Sequence, residues 1–137
     1  MDARGRGVNR YVADTHALFW FLTDSSRLGP AAVQVFAEVS KGTAMLFVPS
    51  IVLAELYFLM QKLGLRSTYV QFFDRLRLAR QVIFVSFDAE DVVEFDQLSL
   101  VPEMHDRMIV GVARRMEATL LTRDDEIVKS GIVTVAW

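Results

Sequence analysis

The chain has 137 residues, 53% of them hydrophobic, with 15 Lys and Arg against 17 Asp and Glu and a net charge of −2. That length suits one domain with one core, and no apolar run reaches the ~18 residues of a membrane span. There is no cysteine, so disulfides, thiolate zinc sites and cysteine nucleophiles are excluded. With only His16 and His105 available, any metal must be held mainly by oxygen, which favours Mg²⁺, Mn²⁺ or Ca²⁺. The mild acidity argues against a general nucleic-acid coat. It does not exclude chemistry on phosphates, because carboxylates that bind metals present a positive site. The stretch from Val12 to Leu22 contains Asp14 and His16 and makes a poor leader core. We therefore expect a soluble, cytoplasmic chain, with enough apolar surface to want a partner or a dimer.

Residues 1–10, with Arg4, Arg6 and Arg10 among glycines, read as a flexible arm, and residues 11–137 as a single domain. Tyr11 to Asp14 reads as a short buried strand and Thr15 to Leu22 as a helix. Arg27 to Pro30 forms a turn. Pro30 then suits the first turn of a helix over 31–40, which Gly42 stops. Thr43 to Val48 is a second strand. Ser50 is placed to cap a helix reaching about Leu63, and a further helix covers 67–80. Val82 to Phe87 is a β-branched and aromatic strand. A helix over 88–98 follows, with acids in its first turn. After a loop over 101–105 come a helix over 106–117, a strand over 118–122 and a last strand over 132–136. Alternating strands and helices with continuous apolar strands predict an α/β fold, a central parallel sheet covered on both faces. Ligands bind such sheets beyond the carboxyl ends of the strands.

Four acids stand where ordinary surface chemistry explains them least. Asp14 ends the first strand and is the only acid or base between Tyr11 and Leu22 apart from His16. A turn-forming or capping role is the plain alternative to a ligand role. Glu55 is the only charge from Ala44 to Met60. Buried, it requires a partner, a proton or a metal. Asp106 opens a helix, where a cap is the plain reading. Asp124 follows an apolar strand, with Asp125 as the alternative. Clustered carboxylates repel one another, and divalent cations relieve that repulsion.

The segments that carry these acids resemble the PIN-domain nucleases, particularly the VapC toxins of bacterial toxin–antitoxin pairs. They are Val12-Ala-Asp14-Thr-His-Ala-Leu-Phe-Trp20, Pro49-Ser-Ile-Val-Leu-Ala-Glu55-Leu, His105-Asp106-Arg-Met-Ile-Val-Gly-Val-Ala113 and Ala118-Thr-Leu-Leu-Thr-Arg-Asp124. They occur in family order and span nearly the whole chain. The resemblance implies a three-layer α/β/α PIN fold and an Mg²⁺- or Mn²⁺-dependent endoribonuclease. It implies Asp14, Glu55, Asp106 and Asp124 as catalytic metal ligands, with Thr15 and Thr122 supporting them. His16 is frequent at its place in the toxins, where a structural hydrogen bond suits it better than general-base work. Many relatives carry a second acid just before the third motif's Asp. Here the run is Pro102-Glu-Met-His-Asp106, and Glu103 either stands in for that acid or is solvated.

The resemblance also implies a VapB-like antitoxin as partner, in a homodimer or a toxin–antitoxin hetero-oligomer. Phe19 to Leu22 and Tyr57 to Met60 are apolar around more of the helix than one core face needs, which suits a groove for a partner helix. Arg107 and Arg123 adjoin the acids and are the candidate RNA contacts. Arg114 and Arg115 read as solvated or ion-paired. The alternatives are a PIN-like module that binds RNA or protein without cleaving, and a PIN nuclease of RNA processing. A phosphatase or a receiver-like domain would want paired acids early and a Lys at a strand end, which this chain lacks.

Overall fold

The computed structural model describes residues 8–137. Five strands form one sheet: β1 (Asn9–Ala13), β2 (Ala44–Pro49), β3 (Val82–Val85), β4 (Thr119–Leu121) and β5 (Val135–Ala136). Their order is β3-β2-β1-β4-β5, and every pairing is parallel. Seven α-helices accompany them: α1 (Thr15–Leu22), α2 (Pro30–Lys41), α3 (Ser50–Lys62), α4 (Arg66–Leu78), α5 (Ala89–Val93), α6 (Met104–Arg115) and α7 (Asp125–Ser130). This is the expected α/β/α arrangement. Its cause is visible in β2, where all residues but Met45 are buried, as a strand covered on both faces requires. Helix α2 packs on β2, α4 on β3, and α6 on β1 and β4.

The core is built from strand residues such as Val12, Val48 and Leu120 and helix residues such as Leu18, Leu56 and Met60, all fully buried. Each such side chain contributes about 1.5–3 kcal/mol by leaving water. Pro30 opens α2 and Gly42, at φ 82, closes it in the left-handed conformation, as the sequence predicts.

The differences from expectation have local causes. β1 begins at Asn9, because Asn9 and Arg10 pair with Ala44 and Met45. Arg10 is tied further by donating to the Met116 carbonyl at 2.6 Å. Residues 1–7 of the expected arm lie outside the described residues. β3 ends at Val85 rather than Phe87, since its neighbour is Pro49, which has no N–H to extend the ladder. Pro49, not Ser50, is the residue before α3, and no side chain caps that helix. The helix expected over 88–98 divides into α5 and a 3-10 turn over Glu94–Leu98. Helix α7 is unanticipated, being six residues long with only Ile127 buried. No helix among the described residues is long and apolar enough to cross a membrane.

The strand order fixes where a ligand belongs. From β1 the chain moves outward through β2 to β3, then returns to lay β4 on the other side of β1. The direction of winding reverses between β1 and β4, and a crevice opens beyond their carboxyl ends. There the Asp14 N–H donates to the Leu121 carbonyl at 3.2 Å.

Candidate active site

That crevice is an open cleft of about 590 Å³. Asp14, Glu55, Asp106 and Asp124 all line it, so the structure brings together the four acids singled out in the sequence. Asp124 lines this cleft, whereas the alternative, Asp125, is exposed and does not line it.

Asp14 leaves β1 in an extended conformation and caps α1, its Oδ1 accepting from the Ala17 N–H at 2.8 Å. The capping role is thus present, and the same residue also lines the cleft. Burial pushes its pKa above the usual carboxylate value. Hydrogen bonds from the Thr122 hydroxyl and the Ala17 N–H, and the neighbouring His16, oppose that rise, while Asp124 adds to it. Thr122 is almost fully buried, and its Oγ1 accepts from the Asp124 N–H at 3.1 Å. One hydroxyl therefore lies against both Asp14 and Asp124, the first and last of the four cleft acids. Asp124 caps α7, accepting from the Ile127 N–H at 3.1 Å.

Glu55 does not stand alone on α3. The Thr15 hydroxyl donates to its Oε1 at 2.6 Å, and His105 Nδ1 lies 3.1 Å from its Oε2. These are the partners that an isolated charge in an apolar helix requires. Thr15 was expected as a support, but His105 was not; its one sequence signal is that it directly precedes Asp106.

Asp106 lies in the first turn of α6 rather than at its cap. The cap is Glu103, whose Oε1 accepts from the Asp106 N–H at 2.8 Å. Glu103 is therefore a structural cap that also stands 3.7 Å from His105. The Asp106 pKa is pushed up to about 6, first by burial and then by the charges of Asp124, Glu103, Glu55 and Asp14. Burial and neighbouring carboxylates act in the same direction here, each disfavouring the charged form.

The oxygen donors fit a hard divalent cation, and their mutual repulsion is what such a cation relieves. The fit is one of chemistry rather than of a finished cage. Among the described residues, no three Asp, Glu or His side chains converge closely enough to share one ion. Mg²⁺ keeps several of its waters and is commonly held through only one or two carboxylates, so an open arrangement suits it.

The remaining walls are aromatic and apolar: Trp20, Leu59, Ile109 and Trp137, with His16 and Arg123 at the polar side. His16 leans on Trp20, the ring centroids 5.3 Å apart. Arg123 lies over both Trp20 and Trp137, at 4.7 and 5.7 Å from their ring centroids. Arg107 is placed differently from expectation. Its guanidinium donates to the carbonyls of Val101 and, at 3.3 Å, Phe95, holding the loop before α6. Arg115 is ion-paired as expected, 2.6 Å from Asp91. Of the apolar helix segments, Trp20, Leu22 and Met60 are buried, while Phe58 is 66% exposed.

Comparison with known proteins agrees with this architecture. Residues 11–131 match the PIN domain family. The chain belongs to that family. No curated protein sequence matches it significantly. Among solved structures it is similar to VapBC2 from Rickettsia felis bound to a promoter DNA fragment. That match has 18% identity and a TM-score of 0.67 and covers 93% of this chain and 97% of the other. It is also similar to the sarcin-ricin loop cleaving toxin VapC20 of Mycobacterium tuberculosis, with 16% identity, a TM-score of 0.68, and coverage of 90% and 96%. DNA-bound VapBC from Salmonella typhimurium matches at 14% identity with a TM-score of 0.69, covering 94% and 98%.

Proposed function

We propose that this chain is a metal-dependent endoribonuclease acting in the cytoplasm as the toxin of a VapBC-type toxin–antitoxin pair. The observation that carries this reading is that four carboxylates line one cleft at the switch point of the sheet, where burial first and then the neighbouring charges push the Asp106 pKa up to about 6. Asp14, Glu55, Asp106 and Asp124 would hold Mg²⁺ or Mn²⁺. When bound, the ion supplies Lewis acidity and positive charge at the scissile phosphate. Thr15 fixes the rotamer of Glu55, and Thr122 fixes Asp14 relative to Asp124. Arg123, at the cleft, is the better placed phosphate contact, because Arg107 already spends donors on loop carbonyls.

The partner would be a VapB-like antitoxin, since several structural neighbours are toxin–antitoxin complexes. Exposed Phe58, Leu63 and Val70 on α3, its end and α4 offer apolar surface for such a partner or a second copy.

The test is incubation of purified, partner-free protein with total RNA in Mg²⁺, Mn²⁺ or EDTA, beside Asp14→Asn. Discrete fragments that disappear with EDTA and with the variant support the reading. Intact RNA after incubation with folded, metal-loaded protein would favour a PIN module that binds without cleaving, and the open spacing of the acids keeps that second reading in play.

A further inference from the structure

Several arginines of this chain have committed donors. Arg10 donates to the Met116 carbonyl, Arg107 to loop carbonyls, and Arg115 to Asp91 and the Ser86 carbonyl. Arg123 contrasts with them. It shares a cleft with four carboxylates, yet among the described residues it makes no ion pair or hydrogen bond and lies instead over two indoles. The rings of Trp20 and Trp137 meet edge to face, their centroids 5.7 Å apart at 68°. A guanidinium on an indole uses its flat face and keeps its in-plane N–H edge available.

The support beneath Arg123 is itself fixed. The Trp137 carbonyl accepts from the Ala31 N–H at 2.9 Å, at the start of α2. A Cβ on Gly29 would stand 2.5 Å from Trp137, so only glycine lets the two backbones approach this closely. Trp20 is buried on α1, whose N-cap is Asp14.

We propose that Trp20 and Trp137 form a seat that keeps Arg123 off the neighbouring carboxylates and presents its N–H fork to a backbone phosphate of single-stranded RNA beside the scissile one. This rests on the RNA-directed reading of the same cleft. The chemistry favours a phosphate: planar bidentate donors match it, and an otherwise acidic cleft needs a fixed cation to admit a polyanion. Trp20 and Trp137 are positioning residues, and Arg123 is the binding residue.

Trp20 and Trp137 are the only tryptophans in the chain, so its indole emission reports solely on this seat. The experiment titrates full-length Asp14→Asn protein in Mg²⁺ with mixed-sequence single-stranded RNA, at several salt concentrations, following that emission. Arg123→Gln, Trp137→Phe and Trp137→Leu are compared in the same background. RNA is expected to change the emission of the parent. Arg123→Gln is expected to weaken binding about tenfold or more. It should also lower the slope of log affinity against log salt by about 0.7, the share of one phosphate on a single strand. Trp137→Leu should match Arg123→Gln, and Trp137→Phe, which keeps a ring face, should recover most of the affinity.

Unchanged affinity and salt slope in Arg123→Gln would overturn the proposal, as would weaker binding at an unchanged slope, which indicates a base contact. No RNA binding by the parent also overturns it. Arg123 is exposed, so its variant keeps the test valid even where Trp137→Leu unfolds. Cleavage by protein with Asp14 intact is scored separately, so the seat and the nuclease reading fail independently.

Discussion

Two concave, acid-lined regions of this molecule treat their charges in opposite ways. Between α5 and α6, a hollow lined by Glu90, Asp91 and Glu94 also contains Arg114 and Arg115. There Asp91 accepts from the Asp88 N–H at 2.7 Å and pairs with Arg115 at 2.6 Å, so its charge is used up in holding helix ends. In the cleft beyond β1 and β4 the nearby arginine is turned onto indoles and the acids are left to repel one another. The lesson is that acid density alone does not distinguish a structural cluster from a working one. The distinction lies in whether the fold supplies the neutralising cation or leaves that to a ligand.

The contrast can be broken most severely in the cleft. Asp14→Asn or Asp124→Asn is expected to lower RNA cleavage by roughly two orders of magnitude or more, measured as initial rate at saturating Mg²⁺. An active Asp14→Asn enzyme would mean the acids are as structural as Asp91. Thr15→Val, which takes away the 2.6 Å bond to Glu55, should cost about 10–100-fold in activity or metal affinity.

Asp106→Asn gives a result of the opposite sign in stability. The folded-state pKa of Asp106 is about 6, above its ordinary value of 3.8. Its contribution to stability is therefore fully present below about pH 3.8 and lost as pH rises through about 6. Without metal, this group should lower the wild-type Tm as pH rises from about 4 to about 6. Asp106→Asn should raise Tm at pH 7 while abolishing cleavage, and should flatten this pH dependence. Mg²⁺ should raise the wild-type Tm at pH 7 and lose that effect as pH drops below 6. A lower Tm for the metal-free variant at pH 7 would show that Asp106 is stabilising where it stands.

The smallest effect belongs to the paired cluster. Arg115→Ala should cost only about 0.2–1 kcal/mol in denaturant unfolding, with cleavage unaltered, because that pair is partly solvated.

The parallel sheet and the four cleft acids were legible because each rests on a local pattern: apolar runs ending in a charge, or a lone charge inside an apolar helix. What escaped has long-range or weak local causes. Helix α7 reads as a solvated acidic turn, since Ile127 is its sole buried residue. Glu103 as the cap of α6 hides behind the usual preference for Ser, Thr, Asp or Asn at that place. Arg107 reads as a free cation beside an acid until the loop carbonyls that accept from it are located in space. Trp137 follows a strand of two residues and has no periodicity around it, yet it walls the cleft from the opposite end of the sequence to Trp20.

The strand order has a consequence for synthesis. β1 is the centre of the sheet, but its second neighbour, β4, and the acid beyond it come more than a hundred residues later. A nascent chain that has released only β1, β2 and β3 from the ribosome therefore has three of the five strands and no β4 to form the crevice beside β1. Every truncated product ending before Asp124 lacks both that acid and Trp137 from the lining of the cleft. The cleft is complete only once Trp137, which walls it, has also been made.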